Sequence, residues 1–176
     1  STLKEGYNLE FIDKPKLTVS PPHNINSRHP ETATEIQKLI DKGALEPVLN
    51  PESPGFYSRI FVVQKASGGW RPVIDLKALN KHLTPKPFKM ETSNSIRTSL
   101  MKGMWATSID LRDAYFHIPI HQSSRKYLRI EFQNKIYQFK ALPFGLSSAP
   151  WLFTKIFHQL ASIARQKNIS LHQYLD

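Results

Sequence analysis

The sequence predicts an α+β fold, an antiparallel sheet with helices packed on it, and three observations carry that prediction. β-rich runs come in pairs joined by short, turn-bearing connections, 58–65 with 70–75 and 127–132 with 136–139. Stretches with helical spacing of apolar residues precede and follow these pairs instead of alternating with single strands. No internal repeat or low-complexity tract appears, so nothing suggests a βαβ series.

The chain has 176 residues, enough for one domain with a real core or for two small lobes sharing a sheet. Its hydrophobic fraction is 40%, and no apolar run approaches the span of a bilayer or forms a signal-peptide pattern. A soluble protein of the cell interior, cytoplasm or nucleus, with no membrane partner is expected. Cysteine is absent, which excludes disulfides, thiolate catalysis and cysteine-ligated zinc. His117 and His121 sit four apart, but Pro119 and the strand-like alternation around it disfavour a helical zinc pair. The net charge of +10 is concentrated: residues 59–140 hold 15 Lys/Arg against 5 Asp/Glu, and the remainder is balanced at 9 against 9. A basic segment interleaved with aromatics suits a polyanion such as nucleic acid, although a merely solvated basic surface has the same composition.

In chain order, residues 1–30 carry Pro15, Pro21, Pro22 and Pro30 without periodicity and read as an extended arm. Ala33, Ile36, Leu39 and Ile40 share one helical face, with Gly43 placed to cap a helix over 31–42. Residues 50–55 form a loop. The runs 58–65 and 70–75 then make a hairpin whose tip turns on Gly68 and Gly69, flanked by Lys65 and Arg71. Those two cations could close over a phosphate chain, or the hairpin could be an ordinary basic one. A short helical turn is expected over 76–82, a Pro-bearing loop at 84–87 and an amphipathic helix over 92–102 ending at Gly103. Residues 104–109 read as a strand and 111–116 as a turn. Residues 127–132 and 136–139 read as a hairpin with the three-residue connection 133–135. A long helix follows the loop 142–150, with Ser147 or Ser148 as its cap and Leu152, Phe153, Ile156, Phe157, Leu160, Ile163 and Ala164 on its buried side. The run 169–176 is strand-like and stops on Asp176.

The stretch Thr107–Ile120 carries Asp110 and Asp113 into what should be a buried element. An ionised carboxylate in low dielectric needs a cation or several donors facing it, so the stretch is a metal site or a structural ion-pair site.

Four motifs in order decide between them. The run Gly68-Gly-Trp-Arg-Pro-Val-Ile-Asp-Leu-Lys-Ala-Leu-Asn80 comes first, and Ile109-Asp-Leu-Arg-Asp-Ala-Tyr-Phe116 second. Leu142-Pro-Phe-Gly-Leu-Ser-Ser-Ala-Pro150 and Tyr174-Leu-Asp176 complete the set. Together they resemble a reverse transcriptase, the RNA-directed DNA polymerase of retroelements, over about Glu31 to the last residue. The runs Asp113-Ala-Tyr-Phe-His-Ile-Pro-Ile120 and Leu142–Pro150 are most similar to the DIRS-type and gypsy-type retrotransposon enzymes.

The resemblance implies a right-handed polymerase: residues 31–103 mainly fingers, 104–176 mainly palm with 121–145 partly returning to the fingers, and no thumb or ribonuclease H. It implies Asp110 and Asp176 as catalytic aspartates holding two Mg²⁺ ions, Mn²⁺ being an alternative, with the Leu111 carbonyl as a further ligand. Lys65 and Arg71 match residues that hold the incoming deoxynucleoside triphosphate. The backbone amides of Asp113 and Ala114 match a second phosphate contact, and Tyr115 matches the ring that excludes a 2′-hydroxyl. Phe144, Gly145 and Ser147 match the segment supporting the base pair and template. Retroviral enzymes carry glutamine at the position of Phe144, so packing or stacking is expected to replace a side-chain hydrogen bond there. The implied partners are an RNA or DNA template with primer, deoxynucleotides and the remainder of the polymerase. The second aspartate of the Tyr-x-Asp-Asp turn would be residue 177, so little activity is expected of these 176 residues alone. A domesticated or decayed relic, binding nucleic acid without catalysis, is the competing expectation; a structural protein with no nucleic-acid role, in which Asp110 merely pairs with a basic neighbouring residue, is a third.

Overall fold

The computed structural model describes residues 2–21 and 29–173. In chain order the elements are α1 (Thr2–Glu5), α2 (Glu31–Asp41), β1 (Leu45–Pro47), β2 (Arg59–Gln64) and β3 (Trp70–Asp75). They continue with α3 (Lys77–Asn80), α4 (Ser93–Ser99), a 3₁₀ turn (Ala114–His117), α5 (Gln122–Arg125), β4 (Arg129–Phe132), β5 (Lys135–Phe139) and α6 (Ala149–Gln166). The fold is α+β, and both sheets are antiparallel. Among the described residues no helix is long and apolar enough to cross a membrane. The chain divides into two compact units, Ser1–Thr84 with Asp113–Ser147, and Pro85–Arg112 with Ser148–Asp176.

In the first unit, β1, β5 and β4 form one sheet in that order, and β2 and β3 form a hairpin. Helix α2 packs on β1, β2 and β3 through Ile36 and Leu39. Its end is a Schellman closure: Gly43 at φ 69 donates to the Ile40 carbonyl (2.8 Å), and Ala44 donates to Leu39 (2.9 Å). The core runs through Leu79, Ile120, Leu128, Ile130 and Leu142, all fully buried. At the β2–β3 tip, Gly68 and Gly69 take φ 87 and 79, conformations that cost a residue without Cβ nothing. The β4–β5 connection is two residues, not three, because Phe132 pairs directly with Lys135. Gln133 and Asn134 both take positive φ (50 and 59), the geometry whose twist matches that of the flanking strands.

The N-terminal segment is fastened to this unit by main-chain bonds: Tyr7 bridges Ile120, Phe11 bridges Leu83 and Thr18 bridges Gly55. Gly6 (φ 91) lies so close to the chain at Ile120 and His121 that an added Cβ would stand 2.5 Å from the His121 nitrogen.

In the second unit, α4 starts with a reciprocal cap between Thr92 and Ser95. It ends at Ser99, short of the expected 102. Residues 104–109 are not a strand: Trp105 and Ile109 are exposed and the segment has no regular structure. A strand persists only where a neighbour completes its ladder, and among the described residues none pairs with this one. Helix α6 buries Leu152, Phe153 and Ala161 as its periodicity requires, but Leu160 and Ile163 are exposed. Ser148 occupies its N-cap position, yet the hydroxyl caps nothing and has no partner among the described residues. Of the strand expected over 169–176, residues 169–173 are irregular, and 174–176 lie outside the described residues.

Candidate nucleotide and template site

The β2–β3 hairpin sets the first two cations. Arg71 pairs with Val63 in the ladder, and Lys65 follows β2 directly, its amide donating to the Gly69 carbonyl (3.0 Å). Both side chains are exposed, and neither has a side-chain partner among the described residues. They line a cleft of ≈ 470 Å³ in the first unit together with Asp113, Phe144 and Gly145. Apolar Ile60, Ile74 and Phe139 line it as well, so the cations stand beside a partly apolar wall.

Asp113 adopts φ 52, ψ 43, the left-handed region, and starts the 3₁₀ turn Ala114–His117. Few residue types sit there without strain, aspartate among them because it is short and polar. Its carboxylate takes a 2.7 Å ion pair from Lys42, the residue that closes α2. Lys38, one helical turn earlier, is paired with Glu35 at 2.6 Å.

Ala114 opens the turn, and Tyr115 behind it is buried, 8% exposed. Burial pushes the Tyr115 phenol up, so the ring stays neutral at physiological pH. It packs on Phe144, centroids 4.8 Å apart at 43°, and Phe116 meets the same ring edge-on at 5.6 Å. Phe144 is 52% exposed, so one part of its ring is spoken for by aromatics and the rest faces solvent.

Gly145 takes φ 94 and runs against β3, where a Cβ would stand 3.5 Å from the Ile74 carbonyl. The loop is then held by Asn80, at the end of α3. Its amide donates to the Gly145 carbonyl (2.9 Å), and its Oδ1 accepts from the Ser147 amide (2.9 Å). One side chain thereby satisfies a donor and an acceptor of the same loop.

Asp110 and Leu111 belong to the second unit, in the exposed irregular run 101–112. They offer a carboxylate and a carbonyl, hard oxygen donors of the kind Mg²⁺ takes. Among the described residues no group of three or more His, Cys, Asp or Glu is placed to hold a metal ion, and Asp176 lies outside those residues.

Of the residues singled out from sequence, Lys65, Arg71, Asp113, Phe144 and Gly145 meet on one cleft, with Tyr115 against Phe144. Ala114 lies on the turn and Ser147 on the loop that Asn80 holds. Sequence reasoning missed Lys38, Lys42 and the clamping role of Asn80. Asn80 closes the first motif and can both donate and accept, which was its only signal; the bond to Ser147 spans 67 residues.

The antiparallel sheet with packed helices matches the fingers-and-palm fold of reverse transcriptases. The family model described as "Reverse transcriptase (RNA-dependent DNA polymerase)" matches residues 63–176. The chain belongs to this family. It is 27% identical to the putative enzymatic polyprotein of Cassava vein mosaic virus over 135 residues, 74% of this chain and 21% of that protein. It is 32% identical to the Gag-Pro-Pol polyprotein of Squirrel monkey retrovirus over 127 residues, 68% of this chain and 6% of that one. The protease-reverse transcriptase of prototype foamy virus shares the fold at TM-score 0.66 and 21% identity, covering 88% of this chain and 21% of the viral one. The foamy viral protease-reverse transcriptase in complex with dsDNA does so at TM-score 0.65 and 24% identity, covering 90% of this chain and 34% of that one. The chain thus spans about a fifth or less of the curated relatives' length and is related to retroviral and retroelement Pol proteins.

Proposed function

We propose that this chain is the fingers and part of the palm of an RNA-directed DNA polymerase that adds deoxynucleotides to a primer 3′-hydroxyl on an RNA or DNA template. The observation that carries the reading is the cleft itself: Lys65 and Arg71, without side-chain partners among the described residues, share it with the Asp113 turn and with Phe144, which packs on Tyr115. A triphosphate is the anion that suits two cations and a turn of backbone amides. Lys65 and Arg71 bind the phosphates, and the amides of Asp113 and Ala114 orient them. Tyr115 stands under the sugar and rejects a 2′-hydroxyl by clash. Phe144, Gly145 and Ser147, clamped by Asn80, support the nascent base pair by packing.

Asp110, the Leu111 carbonyl and Asp176 would hold magnesium, with manganese as the alternative. Two such ions, when bound, activate the primer hydroxyl and offset the charge that develops on the leaving pyrophosphate. The finer placement among the DIRS-type and gypsy-type enzymes rests on motif wording such as Leu-Pro-Phe at 142–144.

In a polymerase containing this segment, primer extension on RNA with deoxynucleotides is expected to fall at least about 10³-fold for Asp110→Asn, because transition-state charge stabilisation is lost. Tyr115→Val is expected to keep extension while admitting ribonucleotides. Unchanged extension by the Asp110 variant would refute its role as a metal ligand, and no extension by the unaltered polymerase would favour a nucleic-acid-binding module without catalysis. An unaltered deoxynucleotide preference in the Tyr115 variant would refute the sugar-gate role.

A further inference from the structure

The cleft holds a cation that the sequence motifs do not mark. Lys42 closes α2 and lines the same cleft as Lys65 and Arg71, but its ammonium is engaged by Asp113 at 2.7 Å. Both partners are partly exposed, 39% and 32%, so the pair is hydrated and exchanges readily. Position 42 also ends a helix, where the carbonyl ends of the dipole favour a cation whether or not Asp113 holds it. Asp113 itself begins the turn whose amides face the cleft in the reading above, so the carboxylate and an incoming phosphate compete for one ammonium.

We propose that Lys42 is a third triphosphate-binding cation, held in reserve by Asp113 and transferred to the phosphates when a nucleotide enters. The proposal rests on the triphosphate reading of the cleft and deepens it. The ammonium moves from carboxylate oxygen to phosphate oxygen by rotation of a flexible stem, with no bond made or broken and no proton moved. The left-handed backbone at Asp113 keeps its amide in place during the exchange. The empty cleft presents Lys65 and Arg71 without side-chain partners among the described residues, and Lys42 becomes a third available ammonium when phosphate displaces Asp113.

The two substitutions at this pair are expected to act in opposite directions. Asparagine adopts the left-handed region as readily as aspartate, so Asp113→Asn keeps the turn while freeing Lys42. Titrating inorganic tripolyphosphate into the full 176-residue chain at low salt, Asp113→Asn is expected to tighten binding roughly two- to fivefold. Lys42→Met is expected to weaken it about tenfold, and Lys42→Arg to retain it. Removing a carboxylate also relieves direct repulsion, so the deciding measurement is the cycle: the gain from Asp113→Asn should shrink in the Lys42→Met background.

An equal gain in both backgrounds, or weaker binding by Asp113→Asn, overturns the role of Lys42. If Lys65→Met and Arg71→Met weaken binding while neither substitution at the pair does, the triphosphate cleft stands and the inference alone fails. If the unaltered chain does not bind tripolyphosphate, both fall together.

Discussion

Asp113 and Asp110 stand three residues apart in sequence and belong to different units, and the chain treats them differently. Asp113 has its backbone set at φ 52, its carboxylate on Lys42, and a buried tyrosine two residues on. Asp110 sits in a run, 101–112, that is exposed throughout and has no regular structure. The first unit orders the residues of its cleft through partners drawn from distant parts of its own sequence, α2, α3 and β3. The second carries Asp110 and Leu111 on backbone that pairs with no strand among the described residues. A motif can therefore be intact in wording on both sides of Arg112 and be preorganised on one side only.

The largest test of this difference compares two leucines. Leu128→Ala, in the fully buried core of the first unit, is expected to cost about 3 kcal/mol in urea denaturation, whereas Leu160→Ala on the exposed side of α6 should stay within about 0.5 kcal/mol. Equal costs would erase the distinction. Next comes the clamp. Asn80→Ala removes two hydrogen bonds from the 145–147 loop and should lose roughly 1–2 kcal/mol, with faster amide exchange at Ser147 but not at Ser95 of α4. Exchange at Ser147 unchanged from the parent chain would show that the loop is held by other contacts.

The smallest effect is a pH dependence. Burial pushes the Glu46 carboxyl up, but hydrogen bonds from Gln138 and Arg125 and the charges of Arg125 and Lys140 outweigh it and hold the carboxyl below its usual range. A carboxyl depressed by folding adds stability above its unfolded pKa, about 4.3, and that contribution is lost as pH falls through the lower folded value. Glu46→Gln should therefore be less stable than the parent chain at neutral pH by well under about 1 kcal/mol, since the pair is partly exposed, and equal to it in strong acid. A difference that grew toward acid would reverse the sign.

The same contrast explains what could be read from the sequence. Helix α2 with its Gly43 closure, both hairpins and the course of α6 rest on local periodicity and turn chemistry, and these were legible. The strand expected over 104–109 was not found, because alternation reports the shape of a strand and not the presence of its neighbour. The exposure of Leu160 and Ile163 has the same origin: spacing defines a face, and only packing decides how much of it is covered. At the site, Lys65, Arg71 and Tyr115 could be named from motif position. Lys42 and the clamp by Asn80 could not, since each depends on a residue 65 to 71 positions away.

The seam between the N-terminal segment and the 119–124 stretch bears on the order in which the molecule is made. Leu9 donates to the Ser124 hydroxyl, 115 residues downstream, Tyr7 donates to the Pro119 carbonyl, and Gly6 is small enough to let the two backbones touch. None of these bonds can form until the chain beyond Ser124 has left the ribosome, on the order of ten seconds after the first residues at roughly 5–20 residues per second. Tyr7 and Leu9 spend that interval with their apolar side chains in water, and the arm is expected to be the last strip of the first unit to close, a seam sewn after the sheet beneath it exists.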